Sequence, residues 1–88
     1  MFPTVEPDLL HILNHGTVKH LKSLKECGKS RAELIISSRP PTGFASVLEL
    51  LDKDIFSPKV LNRLVYSNAM DSDTLAALAH SVNSTNPT

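Results

Sequence analysis

The sequence predicts an all-α fold of five or six short helices and no sheet. Its apolar residues recur at intervals of three and four, each such stretch is bounded by Gly, Pro or a capping residue, and none alternates strictly as a half-buried strand does. At 88 residues the chain has the size of one small domain, which buries ~60 to 65% of its unfolded surface around a single core. A hydrophobic share of 41% and a charged share of 20% belong to a folding chain rather than a disordered one. No apolar run is long enough for a membrane span or a signal-peptide core. The single cysteine, Cys27, cannot form an internal disulfide or a thiolate zinc site, so a reducing compartment is expected.

A first helix is expected from about Pro7 to His15, with Leu9, Leu10, Ile12 and Leu13 facing inward and Gly16 as its stop. Thr17 then caps a second helix carrying Val18, Leu21 and Leu24. After the turn Lys25-Glu26-Cys27-Gly28, a third helix takes Lys29 to about Ser38 and buries Ala32, Ile35 and Ile36. Arg39-Pro40-Pro41-Thr42-Gly43 cannot be helical, because two prolines remove two donors and restrict Arg39; this stretch is the expected hinge between two halves. A fourth helix is expected to carry Phe44, Val47, Leu48, Leu50 and Leu51. Ser57-Pro58 is a capping serine followed by proline at the first helical position, and it launches a fifth helix to about Asn68, with Val60, Leu61, Leu64 and Val65 inside. Asp71, Ser72 and Asp73 start a last helix through about Ser81, with Leu75, Leu78 and Val82 apolar.

Shifting the sequence by 29 residues superposes Val18 on Val47, Leu21 on Leu50, Cys27 on Phe56 and Ile35-Ile36 on Leu64-Val65. Each half reads as helix, short hairpin, helix, and neither carries enough apolar surface alone, so the two are expected to share one core. The expected organisation is an N-terminal extension at 1–6, a tandem helix-hairpin-helix domain of the SAM/HhH-like kind at 7–82, with hairpins at 17–38 and 46–68, and a disordered tail at 83–88. In the helix-hairpin-helix pattern a hydrophobic residue anchors a tight turn, glycine follows it, and alanine four residues on allows close helix packing. Here these are Cys27, Gly28 and Ala32.

Such a turn directs unbonded backbone N–H groups at the start of the following helix toward one point, where the helix dipole adds positive potential and a phosphate oxygen fits. Charge supports this placement, for residues 17–39 hold six basic side chains against two acidic, a net of plus four, while the whole chain is neutral. The candidate DNA-contacting set is Lys22, Lys25, Cys27, Gly28, Lys29, Ser30 and Arg31, with phosphate contacts that position DNA without reading its sequence. Glu26 stands where the pattern usually has a second glycine, and its Cβ limits the geometry of the turn. In the second hairpin Ser57 replaces the glycine and Pro58 removes a helix-start donor, which points to a structural role.

The run Leu9-Leu10-His11-Ile12-Leu13-Asn14-His15-Gly16-Thr17-Val18-Lys19-His20-Leu21-Lys22-Ser23-Leu24, with Gly28-Lys29 and Arg31-Ala32-Glu33-Leu34-Ile35, resembles the C-terminal tandem helix-hairpin-helix domain of chromokinesins of the Kid and NOD type. Phe44, Val47, Leu50, Lys59 and Asn68 continue that resemblance in register, over roughly residues 8 to 69. It implies a nuclear, chromosome-associated module that attaches a microtubule motor to duplex DNA in cell division, while a separate domain of the parent protein carries the ATPase. The DNA role falls on Gly28, Lys29 and Arg31. The alternative is a degenerate hairpin pair serving as a protein-interaction or dimerisation module, with Phe2, Val5, Tyr66 or Met70 meeting a partner or a second copy.

Other chemistries have less support in the residues. His11 and His15 stand four apart on a helix, a metal-ligand spacing, with His20 beyond, but no further ligand completes a set. Cys27 occupies the hairpin's buried anchor, which is no place for a nucleophile. A base-processing enzyme needs a catalytic Asp or Lys in a pocket on a larger scaffold. The expectation is therefore a binding domain with no enzyme activity, cofactor, metal, membrane or small-molecule substrate.

Overall fold

The computed structural model describes residues 6–84. Among these the chain is all-helical: α1 (Glu6–His15), α2 (Val18–Lys22), α3 (Lys29–Ser38), α4 (Glu49–Asp52), α5 (Pro58–Ala69) and α6 (Ser72–Ser84). α1 packs on α6, bringing the first and last helices together, α2 packs on α3, and α5 packs on α6. One buried cluster draws on both halves. Leu9, Ile12, Leu13, Leu21 and Ile35 come from the first, and Leu50, Leu61, Leu64, Val65 and Leu75 from the second. Leu10, Ile36, Val60 and Leu78, expected inside, pack on its rim.

Capping side chains set the starts of α2 and α5. Thr17 and His20 form a reciprocal capping box, in which the Thr17 hydroxyl accepts from the His20 amide and His20 Nδ1 accepts from the Thr17 amide at 3.1 Å. Ser57 Oγ accepts from the Val60 amide at 3.3 Å and Pro58 occupies the first turn of α5. At the end of α1 no side chain is tolerated, since a Cβ on Gly16 would lie 2.6 Å from the Ile12 carbonyl oxygen.

Several expected bounds move. Helix α1 begins at Glu6 rather than Pro7, and Glu6 belongs to the fold instead of an extension: its carboxylate accepts from the Ser46 hydroxyl at 3.3 Å and the Val47 amide at 3.4 Å. The fourth helix shrinks to Glu49–Asp52. Ahead of it Phe44 and Val47 are buried from irregular backbone, and residues 46–51 wind by i to i+3 bonds from Glu49, Leu50 and Leu51 to Ser46, Val47 and Leu48. Helix α6 continues past Ser81 to Ser84, so 83 and 84 are not a tail; 1–5 and 85–88, with Phe2 and Val5, lie outside the described residues.

The Pro-rich connector, the expected hinge, is bonded to the first half. Arg39 donates from Nε to the Leu13 carbonyl at 3.0 Å and from Nη2 to the Gly16 carbonyl at 2.9 Å. Beside it the Asn14 carboxamide grips Phe44, accepting from its amide at 2.6 Å and donating to its carbonyl at 3.0 Å. Both ends of the connector are thereby fastened to the C-terminus of α1. Among the described residues no helix is long and apolar enough to cross a membrane.

Candidate functional site

The first hairpin is a tight turn wound on two anchors. Leu24, 3% exposed, accepts the Cys27 amide at its carbonyl at 3.3 Å, and Cys27, 5% exposed, is seated in the core. Between them Glu26 adopts φ 65°, the left-handed region that glycine occupies without cost and other residues rarely enter. The turn thus requires at Glu26 the backbone that the missing glycine would supply.

Gly28 caps α3 in extended backbone with no side-chain cap bond. The first helical bond of α3 runs from the Ala32 amide to the Gly28 carbonyl at 2.9 Å, and the amides of Gly28, Lys29, Ser30 and Arg31 meet no acceptor among the described residues. A Cβ built on Gly28 touches nothing within 4 Å, so packing does not require glycine there; its absence leaves the approach to these amides open. Lys22, Lys29 and Ser30 are exposed.

Two of the expected phosphate arms are engaged within the protein. Lys25 Nζ lies 3.6 Å from an Asp71 carboxylate oxygen in a half-exposed pair, and its backbone is held by Asn68. Arg31 turns back over the hairpin: Nη1 donates to the Glu26 carbonyl at 3.3 Å, and the guanidinium carbon stands 5.9 Å from the centre of the Phe56 ring. That leaves Lys22 and Lys29 as the exposed lysines of the set without an ion pair among the described residues.

The second hairpin is built differently. Asp54, not Ile55 at the position equivalent to Glu26, takes the left-handed φ of 60°, and both the Ile55 and Phe56 amides bond to the Leu50 carbonyl, at 2.9 and 3.2 Å. At the start of α5, Ser57 consumes one amide and Pro58 has none to offer. Exposed Asp52 and Asp54 add negative charge beside it.

Asn68 is absent from the site residues that composition and spacing single out. It is a buried polar residue, 4% exposed, whose carboxamide accepts from the Lys25 amide at 3.1 Å and donates to the Lys25 carbonyl at 3.1 Å and the Leu64 carbonyl at 2.6 Å. The sequence carries one signal of it: Asn68 continues the Leu61, Leu64, Val65 stripe at a core position where an apolar residue is the rule.

The histidines do not assemble a centre, and among the described residues no group of three metal-ligating side chains occurs. The His11 and His15 rings meet tilted at 46° with centres 4.9 Å apart, and His20 Nδ1 is taken by the capping box. Burial pushes the Cys27 thiol from its ordinary 9.0 up to about 11, with the nearby Arg31 charge opposing. Iodoacetamide at about pH 8 is therefore expected to alkylate folded protein at least ~10-fold more slowly than urea-unfolded protein, and equal rates would show an exposed thiol. The folded state holds a proton that the unfolded chain releases between pH 9.0 and about 11, so this group lowers stability as pH rises through that window and leaves it unchanged below.

No protein-family profile matches the chain, and no solved structure matches it. Kinesin-like protein KIF22-A of Xenopus laevis is 40% identical over 65 residues, and kinesin-like protein KIF22-B of the same organism is 38% identical over 65 residues. Each match takes in 73% of this chain and 10% of the relative. The chain is thus similar to a short segment of kinesin-like proteins and spans about a tenth of their length.

Proposed function

We propose that this chain is a DNA-binding module of a kinesin-like protein, a tandem helix-hairpin-helix that grips duplex phosphates through its first hairpin and so places its parent on chromosomes in the nucleus. One observation carries the reading: the unbonded amides that open α3 sit beside an unobstructed Gly28 and the free, exposed Lys29. Amides and helix dipole together make a phosphate cradle, and Lys22 and Lys29 add screened positive charge around it. The second hairpin, self-capped at Ser57 and lacking a donor at Pro58, serves as support. Similarity to a short segment of kinesin-like proteins supports placing the module within such a protein.

The test is a fluorescence titration with a short labelled duplex at two salt concentrations. Lys29→Glu is expected to weaken binding by roughly 10-fold at low salt, for all sequences alike, and to make the log affinity against log salt slope shallower by about one. The slope for the unaltered protein is expected on the order of minus two to minus four. Lys59→Glu at the second hairpin is expected to matter less, and equal losses from the two hairpins would remove the asymmetry on which the reading stands.

A second reading has its own observation. Tyr66, 51% exposed, and Met70, 89% exposed, lie one turn apart at the end of α5, an apolar surface fit for a protein partner or a second copy. It predicts no salt-dependent duplex binding, and loss of a protein contact on Tyr66→Ala.

A further inference from the structure

We infer that Asn68 is a positioning residue for the first hairpin, holding Glu26 in its left-handed turn from α5 and so aiming the opening amides of α3; the inference rests on the DNA reading above. Asn68 sits on the buried stripe of α5, a position where an apolar residue is the rule and a polar one must find partners. Instead one carboxamide binds both backbone polar groups of Lys25, accepting from the N–H and donating to the C=O, each at 3.1 Å. Its second amide hydrogen goes to the Leu64 carbonyl at 2.6 Å, which fixes the rotamer against its own helix.

That grip falls on the residue immediately before Glu26, whose φ is 65°. The carbonyl on the other side of Glu26 is tied as well, because it accepts from Arg31 Nη1 at 3.3 Å. An unfavourable backbone persists only where its neighbours over-determine it. Here the peptides flanking Glu26 are pinned by Asn68 and by an arginine that itself lies over Phe56. Both supports draw on the second half of the chain, so the degenerate second hairpin keeps the turn of the first in shape. The Lys25 to Asp71 pair strengthens the same contact from outside, but a half-exposed ion pair contributes little.

The test uses the full chain with Asn68→Leu, which keeps the branched outline of the side chain, and with Asn68→Ser should the leucine variant fail to fold. Amide exchange at Lys25 is expected to quicken at least ~10-fold while α1 and α6 stay protected, because only the local opening changes. Duplex binding is expected to weaken several-fold, and Glu26→Gly in the same chain to restore most of the loss, since glycine holds the turn unaided. Val82→Ala, a core change on α6, is the control for general destabilisation and is expected to leave affinity and the Lys25 amide unaffected. Unchanged Lys25 exchange, or a binding loss that Glu26→Gly does not repair, overturns the inference. Should the unaltered protein fail to bind duplex at all, the DNA reading falls, and exchange at the Cys27 amide, which closes the turn onto the Leu24 carbonyl, then decides whether Asn68 sets the turn, quicker exchange supporting it and unchanged exchange overturning it.

Discussion

Phe56→Ala is expected to destabilise the fold by about 3 to 5 kcal/mol, as truncations of buried aromatics do. Phe56 is 4% exposed and occupies the place in the second hairpin that Cys27 holds in the first, 29 residues earlier. Its ring also does something the cysteine does not: it floors the Arg31 guanidinium, which in turn ties the Glu26 carbonyl. Removing it opens a cavity and takes away the ring against which the Arg31 guanidinium lies. For a domain whose total stability is about 5 to 15 kcal/mol, that loss is a large fraction. The measurement is a urea midpoint for both proteins, with Cys27→Ala as a milder comparison because less apolar volume is lost. An unchanged midpoint would reject the alignment of the two halves and the place assigned to Phe56 in the core.

The local parts of this fold are readable from the sequence, and the long-range ties are not. Gly28 and the Ser37-Ser38-Arg39-Pro40 run bound α3 where the spacing predicts it, and Ser57-Pro58 starts α5 as a cap followed by proline must. The fourth helix misleads because Phe44, Val47 and Leu48 have helical spacing, yet Asn14 holds Phe44 and Glu6 holds Val47 from 30 and 41 residues away. Those tertiary bonds outweigh a weak local preference. For α6 the polar residues Asn83 and Ser84 suggest an end that the helix passes through. At the candidate site, Cys27, Gly28, Lys29 and Ser30 are consecutive, so their proximity in the fold follows from the chain itself. The fates of Lys25 and Arg31 depend on Asp71, Asn68 and Phe56, which no local spacing connects to them.

Glu26→Gly brings the stability of the turn and the proposed function into one experiment. Glycine takes the left-handed φ of 65° without the steric cost that a Cβ imposes, so the folded turn gains. Part of that gain is offset by the greater freedom of glycine in the unfolded chain, leaving a net stabilisation of roughly 0.5 to 1 kcal/mol. Under the proposed reading a second gain follows, because a carboxylate beside the phosphate cradle disappears. Duplex affinity is then expected to rise by roughly 0.5 to 2 kcal/mol at low salt. The rise should shrink as salt screens the removed charge, whereas the stability gain should not, since a backbone conformation has no salt dependence. Measuring both quantities on the same variant separates the readings. More stable protein with no duplex binding by either form at ~50 mM salt identifies the hairpin as a packing element and favours the interaction module. Loss of stability would contradict the left-handed turn itself, because no other residue gains from that backbone as glycine does.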